Sequence, residues 1–400
     1  MVVPLRPMPA LYTRPFLLLC FSYFLFFASF NMVIPELPSW LDRLGGGEYK
    51  GLIIGLFALA AMISRPVSGR LTDTLGRKPI IFFGVIVCLF LGLLYPVAQS
   101  VALFLVLRFS HGFSTGFTPT GASAYVADIV PDQRRGEAMG IIGLFGSLGM
   151  ALGPYLGSSL VAYVPQTFVF YFSSGFALLS GVVLLQLPET LAHPQAFSLR
   201  LFKINTSDVF EPRVIVPATV VFLTVVSFGI VLTLVPDLSD YLGINRGLFF
   251  LCFTLASVGV RFFAGKLSDK VGRASLLIAG GLLLAASMTV TAFAANKFQL
   301  MIGAMLFGFA AGINSPTSMA WTVDLSLAEK RGRALATMFI ALEAGIFLGS
   351  VLSGWVYNNQ DDRFTPIFLS GAGVALLSVV YLLWVRYQQK KALCRQKALN

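Results

Sequence analysis

The chain has 400 residues; 56% are apolar and 12% charged, about half the charged share of a soluble domain. Its mean hydropathy is +0.81, and phenylalanine alone supplies 37 residues. A soluble fold lacks the interior volume to hide that much apolar side chain, so the composition excludes a soluble enzyme, a disordered chain and a secreted disulfide scaffold.

A polytopic membrane protein remains. At about 20 residues per span, the length allows roughly twelve helices. Apolar runs fall at 15–39, 51–71, 79–99, 101–127, 137–163, 167–187, 214–239, 247–267, 275–295, 298–322, 335–357 and 365–386. Their continuity favours helices over the ten-residue alternation of a membrane barrel. Arg6 and Arg14 precede the first run, which is too long for a signal-peptide core and is read as a retained span. The longest polar break, 188–213, begins Pro188-Glu189-Thr190 and holds Arg200, Lys203, Asp208, Glu211 and Arg213. It divides the chain into a six-span unit (1–187), a cytoplasmic linker (188–213) and a second six-span unit with a basic tail (214–400).

The net charge of +11 would suggest nucleic acid in a soluble protein. Here the basic residues mark orientation. With the N-terminus inside, 21 of the 29 lie in cytoplasmic segments and five (Arg43, Lys50, Arg246, Lys297, Arg363) in outer loops. Arg65, Arg108 and Arg261 fall within spans. By the positive-inside rule both termini are cytoplasmic, and no nucleic-acid partner is implied. Asn205-Thr206-Ser207 is then a chance sequon. Cys20, Cys88, Cys252 and Cys394 have no paired or metal-like spacing, so neither disulfides nor a metal site are expected.

The chain repeats itself. Gly69-Arg70-Leu71-Thr72-Asp73-Thr74-Leu75-Gly76-Arg77 recurs 196 residues later as Gly265-Lys266-Leu267-Ser268-Asp269-Lys270-Val271-Gly272-Arg273. The same shift maps Arg65 onto Arg261, Gly112 onto Gly308, Gly116 onto Gly312, Asp128 onto Asp324, Arg135-Gly136 onto Arg331-Gly332, Gly149 onto Gly345 and Gly153 onto Gly349. Six is even, so the duplicated unit keeps its orientation. A two-fold axis along the membrane normal follows, with a cleft between the halves.

The loop Gly69, Leu71, Asp73, Gly76, Arg77, Lys78 resembles the G-x-L-a-D-r-x-G-R-[RK] signature of the major facilitator superfamily, and the resemblance extends over nearly the whole chain. It implies an all-α fold of twelve helices in two pseudo-symmetric bundles. Glycines at 69 and 76 permit close helix approach and a tight turn. Asp73 and Arg77 form a charge pair at a helix end, able to latch helices in one state and release them in another. The resemblance makes this a cytoplasmic gate linked to an acid ending the fourth span. Asp128 fits that acid, with Asp269, Arg273 and Asp324 as the second copy.

The remaining motifs carry the functional reading. Arg108-Phe109-Ser110-His111-Gly112 resembles the family's R-x-x-q-G, with His for the usual Gln. A bare Arg in hydrocarbon is costly, so Arg108 is expected to face the cleft and to pair with a carboxylate. His111 is read equally as a satisfied buried histidine or a proton carrier. Gly149, Gly153, Pro154 and Gly157 resemble the g-x-x-x-G-P-x-x-G motif of proton-driven exporters, whereas the second half has Ser350 where Pro154 stands. That asymmetry favours export over import. Glu36 and Asp237 sit beside helix-breaking prolines at equivalent outer positions, either as solvated helix ends or as an outer gate and proton entry. Glu343 is the one acid well inside a span, about 10 Å from its cytoplasmic end. Its counterpart is Ser147, so symmetry does not require it. A lone carboxylate in a low-dielectric slab is suited to taking up and releasing a proton. Asn314 is a candidate polar substrate contact. Phe26, Phe27 and Phe30 are candidates for an aromatic cavity wall.

No phosphate-binding G-x-x-x-x-G-K-[ST] loop, filter motif or catalytic-domain-sized loop is present. The sequence therefore reads as a monomeric secondary transporter in a bacterial inner membrane, not an enzyme and without cofactor. The expected activity is proton-coupled export of a small organic molecule by alternating access. The alternatives are a proton symporter for a sugar or organic ion, a non-transporting sensor or scaffold, and a channel.

Overall fold

In hydrocarbon a chain must satisfy its backbone groups internally, and continuous apolar runs do so as helices. The computed structural model describes residues 12–131, 134–196, 198, 201, 210–327 and 331–399. Among them the helices are α1 (Arg14–Val33), α2 (Leu37–Arg43), α3 (Lys50–Thr74), α4 (Arg77–Leu94), α5 (Val101–Ile129), α6 (Arg135–Leu160), α7 (Thr167–Leu185), α8 (Ile215–Tyr241), α9 (Leu248–Val271), α10 (Arg273–Ala292), α11 (Lys297–Leu325), α12 (Arg331–Tyr357) and α13 (Phe364–Leu399). All but the short α2 match the twelve expected runs, so the protein is an all-α bundle of twelve long helices.

Ten of the helical stretches are long and apolar enough to cross a membrane. Helix α5 is diluted by Arg108, His111 and its serines and threonines, and the apolar part of α9 stops at Arg261. Proline sets the one early break. The first helix tightens into a 3-10 turn at Ile34–Glu36, where Pro35 removes a backbone donor, and continues as α2. Helix α13 runs past the expected end at 386, carried by good helix formers such as Gln388, Gln389, Lys390 and Lys391.

The halves assemble by the same contacts. A Cβ on Gly112 would lie 2.1 Å from the carbonyl oxygen of Phe57, and one on Gly308 would lie 2.1 Å from that of Phe253. Phe57 and Phe253 are themselves 196 residues apart. Gly116 and Gly312 repeat the pattern one turn on, against the carbonyls of Ala61 and Ser257. In α6, Gly149, Gly153 and Gly157 press on the carbonyls of Phe24, Ala28 and Met32 of α1. Lipid tails supply no hydrophobic drive between helices, so such backbone approach is what packs them.

In the second half Gly345 and Gly349 meet the carbonyls of Phe222 and Val226. These lie 198 residues beyond Phe24 and Ala28, so Glu36 corresponds to Leu234, and Asp237 sits about one turn beyond the equivalent position. One core cluster joins α1, α3, α4, α5 and α7, and another joins α8 to α11 with α13.

Both copies of the Gly-x-Leu motif, the start of α1 and the linker ends lie at one end of the bundle, called here the motif end. Gly76 holds a φ of +128°, a region L side chains avoid, and makes the turn into α4. Gly69 does not serve close approach: a Cβ there would meet nothing within 4 Å.

Gly112→Ala and Gly308→Ala are each expected to cost about 1–3 kcal/mol by overpacking. Gly175→Ala, in open space on α7, is expected to leave stability unchanged or raise it. Unfolding midpoints of the purified protein check both.

Candidate functional site

At the end opposite the motifs, the halves meet backbone to backbone and charge to charge. A Cβ on Gly354 of α12 would lie 2.3 Å from Cα of Gly51 in α3. One on Gly247 would lie 2.4 Å from the carbonyl oxygen of Pro154. Two charge clusters lie across the same face. Arg246 Nη1 donates to Glu36 Oε2 at 2.9 Å, and its other nitrogens hold Asp240. Lys50 Nζ bridges Asp237 Oδ1 at 2.9 Å and Asp42 Oδ2 at 2.8 Å.

Glu36 is not a solvated helix end. It is 2% exposed and also accepts hydrogen bonds from Ser158 and Gln166. Pro35 causes this, because the turn it forces folds Glu36 inward beneath α2. Lys50, Asp42 and Arg246 were not singled out in the sequence. Lys50 and Arg246 read there only as outer-loop charges, since Asp237 lies 187 residues from the first and Glu36 lies 210 from the second.

Half-way along the helices one ion pair among the described residues joins the halves. Arg65 Nη2 of α3 donates to Glu343 Oε1 of α12 at 2.9 Å, with the guanidinium 4.9 Å from the centre of the Phe339 ring. Glu343 therefore has a partner on the other half. It also lies deeper than expected, about 18 Å from the start of α12, because that helix begins at Arg331. On the opposite seam the repeat partners meet: Arg261 Nη1 of α9 donates to Ser147 Oγ of α6 at 3.0 Å. The two seams thus share one arrangement, with a carboxylate in the first and a hydroxyl in the second.

Arg108 departs from expectation twice. It is 1% exposed inside the first half rather than in the cleft, and among the described residues it has no carboxylate. Its Nε donates to the Ile53 carbonyl at 2.9 Å and its Nη1 to the Tyr95 hydroxyl at 3.1 Å, while its guanidinium lies 4.7 Å from the Phe57 ring centre. A carbonyl dipole, a phenol and an aromatic face stand in for the anion. His111 extends the chain, with Nδ1 3.1 Å from Tyr95 Oη and Nε2 3.3 Å from Cys88 Sγ. Cys88 in turn lies 3.3 Å from Ser29 Oγ. His111 is fully buried and has a partner at each ring nitrogen.

Asn314 is buried in the second half against α10, where a Cβ on Gly280 would lie 1.9 Å from its Oδ1. Phe26 is fully buried in the first core. Phe27 and Phe30 form a wall of rings with Tyr23 and Phe57: Tyr23 lies 4.7 Å from Phe27, and Phe30 stacks 5.6 Å from Phe57.

At the motif end, Arg77 ties three segments together. Its Nε donates to Asp128 at 3.0 Å, and its Nη1 to Asp73 at 3.1 Å and the Thr72 carbonyl at 2.6 Å. Thr190 adds a 2.7 Å bond to Asp128. Glu189 completes the turn: its carboxylate accepts from the backbone N–H of Arg77 and Lys78 at 3.0 Å, capping α4 at its positive end. Lys78 donates to the carbonyls of Leu185 and Leu187, closing the end of α7. In the second copy Arg273 binds Asp324 at 2.9 Å and Ser268 at 2.6 Å. The side chain of Asp269 and the sequon 205–207 lie outside the described residues. Each of these pairs stays within one half.

The profile of the Major Facilitator Superfamily matches residues 19–247 and 218–398, in effect once for each half. The chain belongs to the Major Facilitator Superfamily. It is therefore a membrane transporter rather than an enzyme.

Among curated relatives, the chain is 31% identical over 219 residues to "Quinolone resistance protein NorA" of Staphylococcus aureus. It is 28% identical over 211 residues to "Multidrug resistance protein 1" of Bacillus subtilis. These matches cover 53% and 52% of this chain, and the chain spans about half the length (54%) of each relative. It is 26% identical over 373 residues to "Multidrug resistance protein MdtG" of Escherichia fergusonii, covering 90% of this chain and 91% of the relative. The human organic anion transporter MFSD10 superposes with a TM-score of 0.72 at 21% identity, covering 92% of this chain and 99% of that one. A peptide transporter, POT, superposes at 0.76 and 16% identity, with 96% of both chains covered. Both structures share the superfamily fold.

Arg65 and Glu343 are each mostly buried, so removing one partner strands the other's charge. Arg65→Met and Glu343→Gln are each expected to destabilise the protein by about 3–5 kcal/mol, and Arg65→Met with Glu343→Leu to recover most of that loss. A double-mutant cycle on unfolding midpoints measures the coupling.

Proposed function

We propose that the protein is a proton-coupled exporter of small organic molecules, working by alternating access as a monomer in a bacterial inner membrane. Lys and Arg asymmetry supports a cytoplasmic motif end and cytoplasmic termini. Relatives named for multidrug and quinolone resistance support export.

The observation that carries the reading is the Arg65–Glu343 pair at mid-depth on the seam between halves. Charged, the pair binds α3 to α12. A proton on Glu343 removes the anion that holds Arg65, so the seam loses its central tie while the carboxyl becomes cheaper to carry through hydrocarbon. The Glu36–Arg246 and Lys50–Asp237 contacts close the outer end in this conformation, and they must break for the cleft to open outward. Arg77 and Arg273 hold the turns of their own halves on the cytoplasmic side, as stiff ends for the rocking bodies. Gly149, Gly153 and Gly157 set α6 directly against α1, and Pro154 shapes the α6 face that meets Gly247.

The test is a pH-jump assay in inside-out vesicles holding an established proton gradient, with a panel of lipophilic cations, antibiotics, sugars and amino-acid-like metabolites. At least one compound is expected to dissipate the gradient, and Glu343→Gln, with the protein still inserted, to abolish that response. Gradients that respond equally in wild type and Glu343→Gln would sink the proton-coupling role.

A further inference from the structure

Arg261 is the mirror image of Arg65, and it lacks what Arg65 has. Both guanidinium groups lie near the middle of their helices. Arg65 is about 22 Å along α3 and Arg261 about 20 Å along α9. The repeat shift takes Arg65 to Arg261 and Ser147 to Glu343, so the two seams present the same geometry twice. On one seam Arg65 meets a carboxylate at 2.9 Å. On the other Arg261 meets only the neutral Ser147 hydroxyl at 3.0 Å. The Nε of each arginine is buried without a hydrogen-bond partner among the described residues, so the seams differ in the carboxylate alone.

A guanidinium carries five N–H donors in a planar fork and stays charged at any physiological pH. One hydroxyl satisfies a small part of it. The charge balance points the same way. In the middle turns of the described helices two seam arginines, Arg65 and Arg261, stand against one carboxylate, that of Glu343, which is paired with Arg65, and the further buried cation, Arg108, is held by neutral groups. The mid-depth seam region thus carries net positive charge where hydrocarbon makes an unpaired charge expensive.

The surroundings suit an apolar ring. Tyr23 packs on Gly146, the neighbour of Ser147, and a Cβ there would lie 2.8 Å from the Tyr23 ring. From Tyr23 the aromatic wall continues through Phe27 and Phe30 to Phe57.

We propose that Arg261, with Ser147 beside it, is an anion-binding subsite for substrate, and that the protein takes organic anions with a carboxylate on an aromatic body. The carboxylate supplies to Arg261 the charge that Glu343 supplies to Arg65, through the fork geometry that favours two parallel hydrogen bonds. The aromatic body lies along the Tyr23–Phe27 wall. The proposal rests on the export reading for its place in a transport cycle, but binding itself does not require transport.

The experiment uses the purified full-length protein in lipid nanodiscs, with 2-naphthoate and its neutral analogue 2-naphthamide as probes. Binding is read as the concentration-dependent rise in unfolding midpoint. Naphthoate is expected to bind about tenfold or more tightly than naphthamide. Arg261→Gln is expected to erase that preference and leave naphthamide binding within about twofold, whereas Arg261→Lys retains part of it. Ser147→Asp places a carboxylate beside Arg261. It is expected to block naphthoate while keeping or raising the midpoint of the unliganded protein, which also shows that this variant folds. Equal binding of the two probes to wild type, or a preference that survives in Arg261→Gln and Ser147→Asp, overturns the proposal.

The vesicle assay separates the two readings. Arg261-dependent naphthoate binding with no compound dissipating the proton gradient keeps the anion site and removes the exporter. Glu343-dependent export with no naphthoate preference keeps the exporter and removes the anion site.

Discussion

Helix backbones in this protein touch because glycine lets them, and the placement of every functional group follows from that. With lipid as apolar as the side chains, association between helices has to come from close van der Waals approach and interhelical polar contacts. Gly112 and Gly116 set α5 on α3, Gly308 and Gly312 set α11 on α9, and Gly149, Gly153 and Gly157 set α6 on α1. Because the same registers occur twice, Arg65 and Arg261 arrive at the same depth on opposite seams. Moving one of these helices by a turn would carry an arginine about 5 Å along its axis and out of reach of its partner.

On that frame the two halves differ where chemistry is concerned. Symmetry supplies two arginines, but only one carboxylate. A duplicated scaffold with identical seams would carry the same ion pair twice at one depth. Ser147, standing where Glu343 carries its carboxylate, leaves one seam with an ion pair and the other with a charged-to-neutral hydrogen bond. Arg108 shows a third way of holding a cation without water, since a carbonyl, a phenol and an aromatic face replace the anion entirely.

Much of the fold was legible in the chain because membrane helices are written locally. Hydrophobic length, glycine spacing and the 196-residue repeat each depend on residues close together or on one constant shift. The turn at Gly76 was readable for that reason, whereas the link from Arg77 to Asp128 came from the resemblance of the loop to the superfamily signature. Long-range partners were not. Nothing near Glu343 in sequence announces Arg65, 278 residues away, and nothing near Glu36 announces Arg246. Arg108 was misplaced because the expectation allowed a buried guanidinium only an acid for company. Glu189 was passed over because it sits at the start of a polar break, where acids are ordinarily solvated. Its role appears only when the N-terminus of α4 is brought above it.

That carboxylate also settles how much slack joins the halves. The linker is fastened to the first half by Glu189, by the Gln195 N–H bond to the Thr74 carbonyl, and by Leu201, which is buried with Leu71, Ile80 and Phe117. It is fastened to the second half where the Glu211 N–H meets Thr337 Oγ1. Ten residue steps lie between the last two anchors, a maximum reach of about 33–36 Å. That reach is comparable to the hydrocarbon thickness of a bilayer, about 30 Å. Over ten residue steps the covalent connection imposes no short leash, so the contacts that fix one half against the other are those of the two seams.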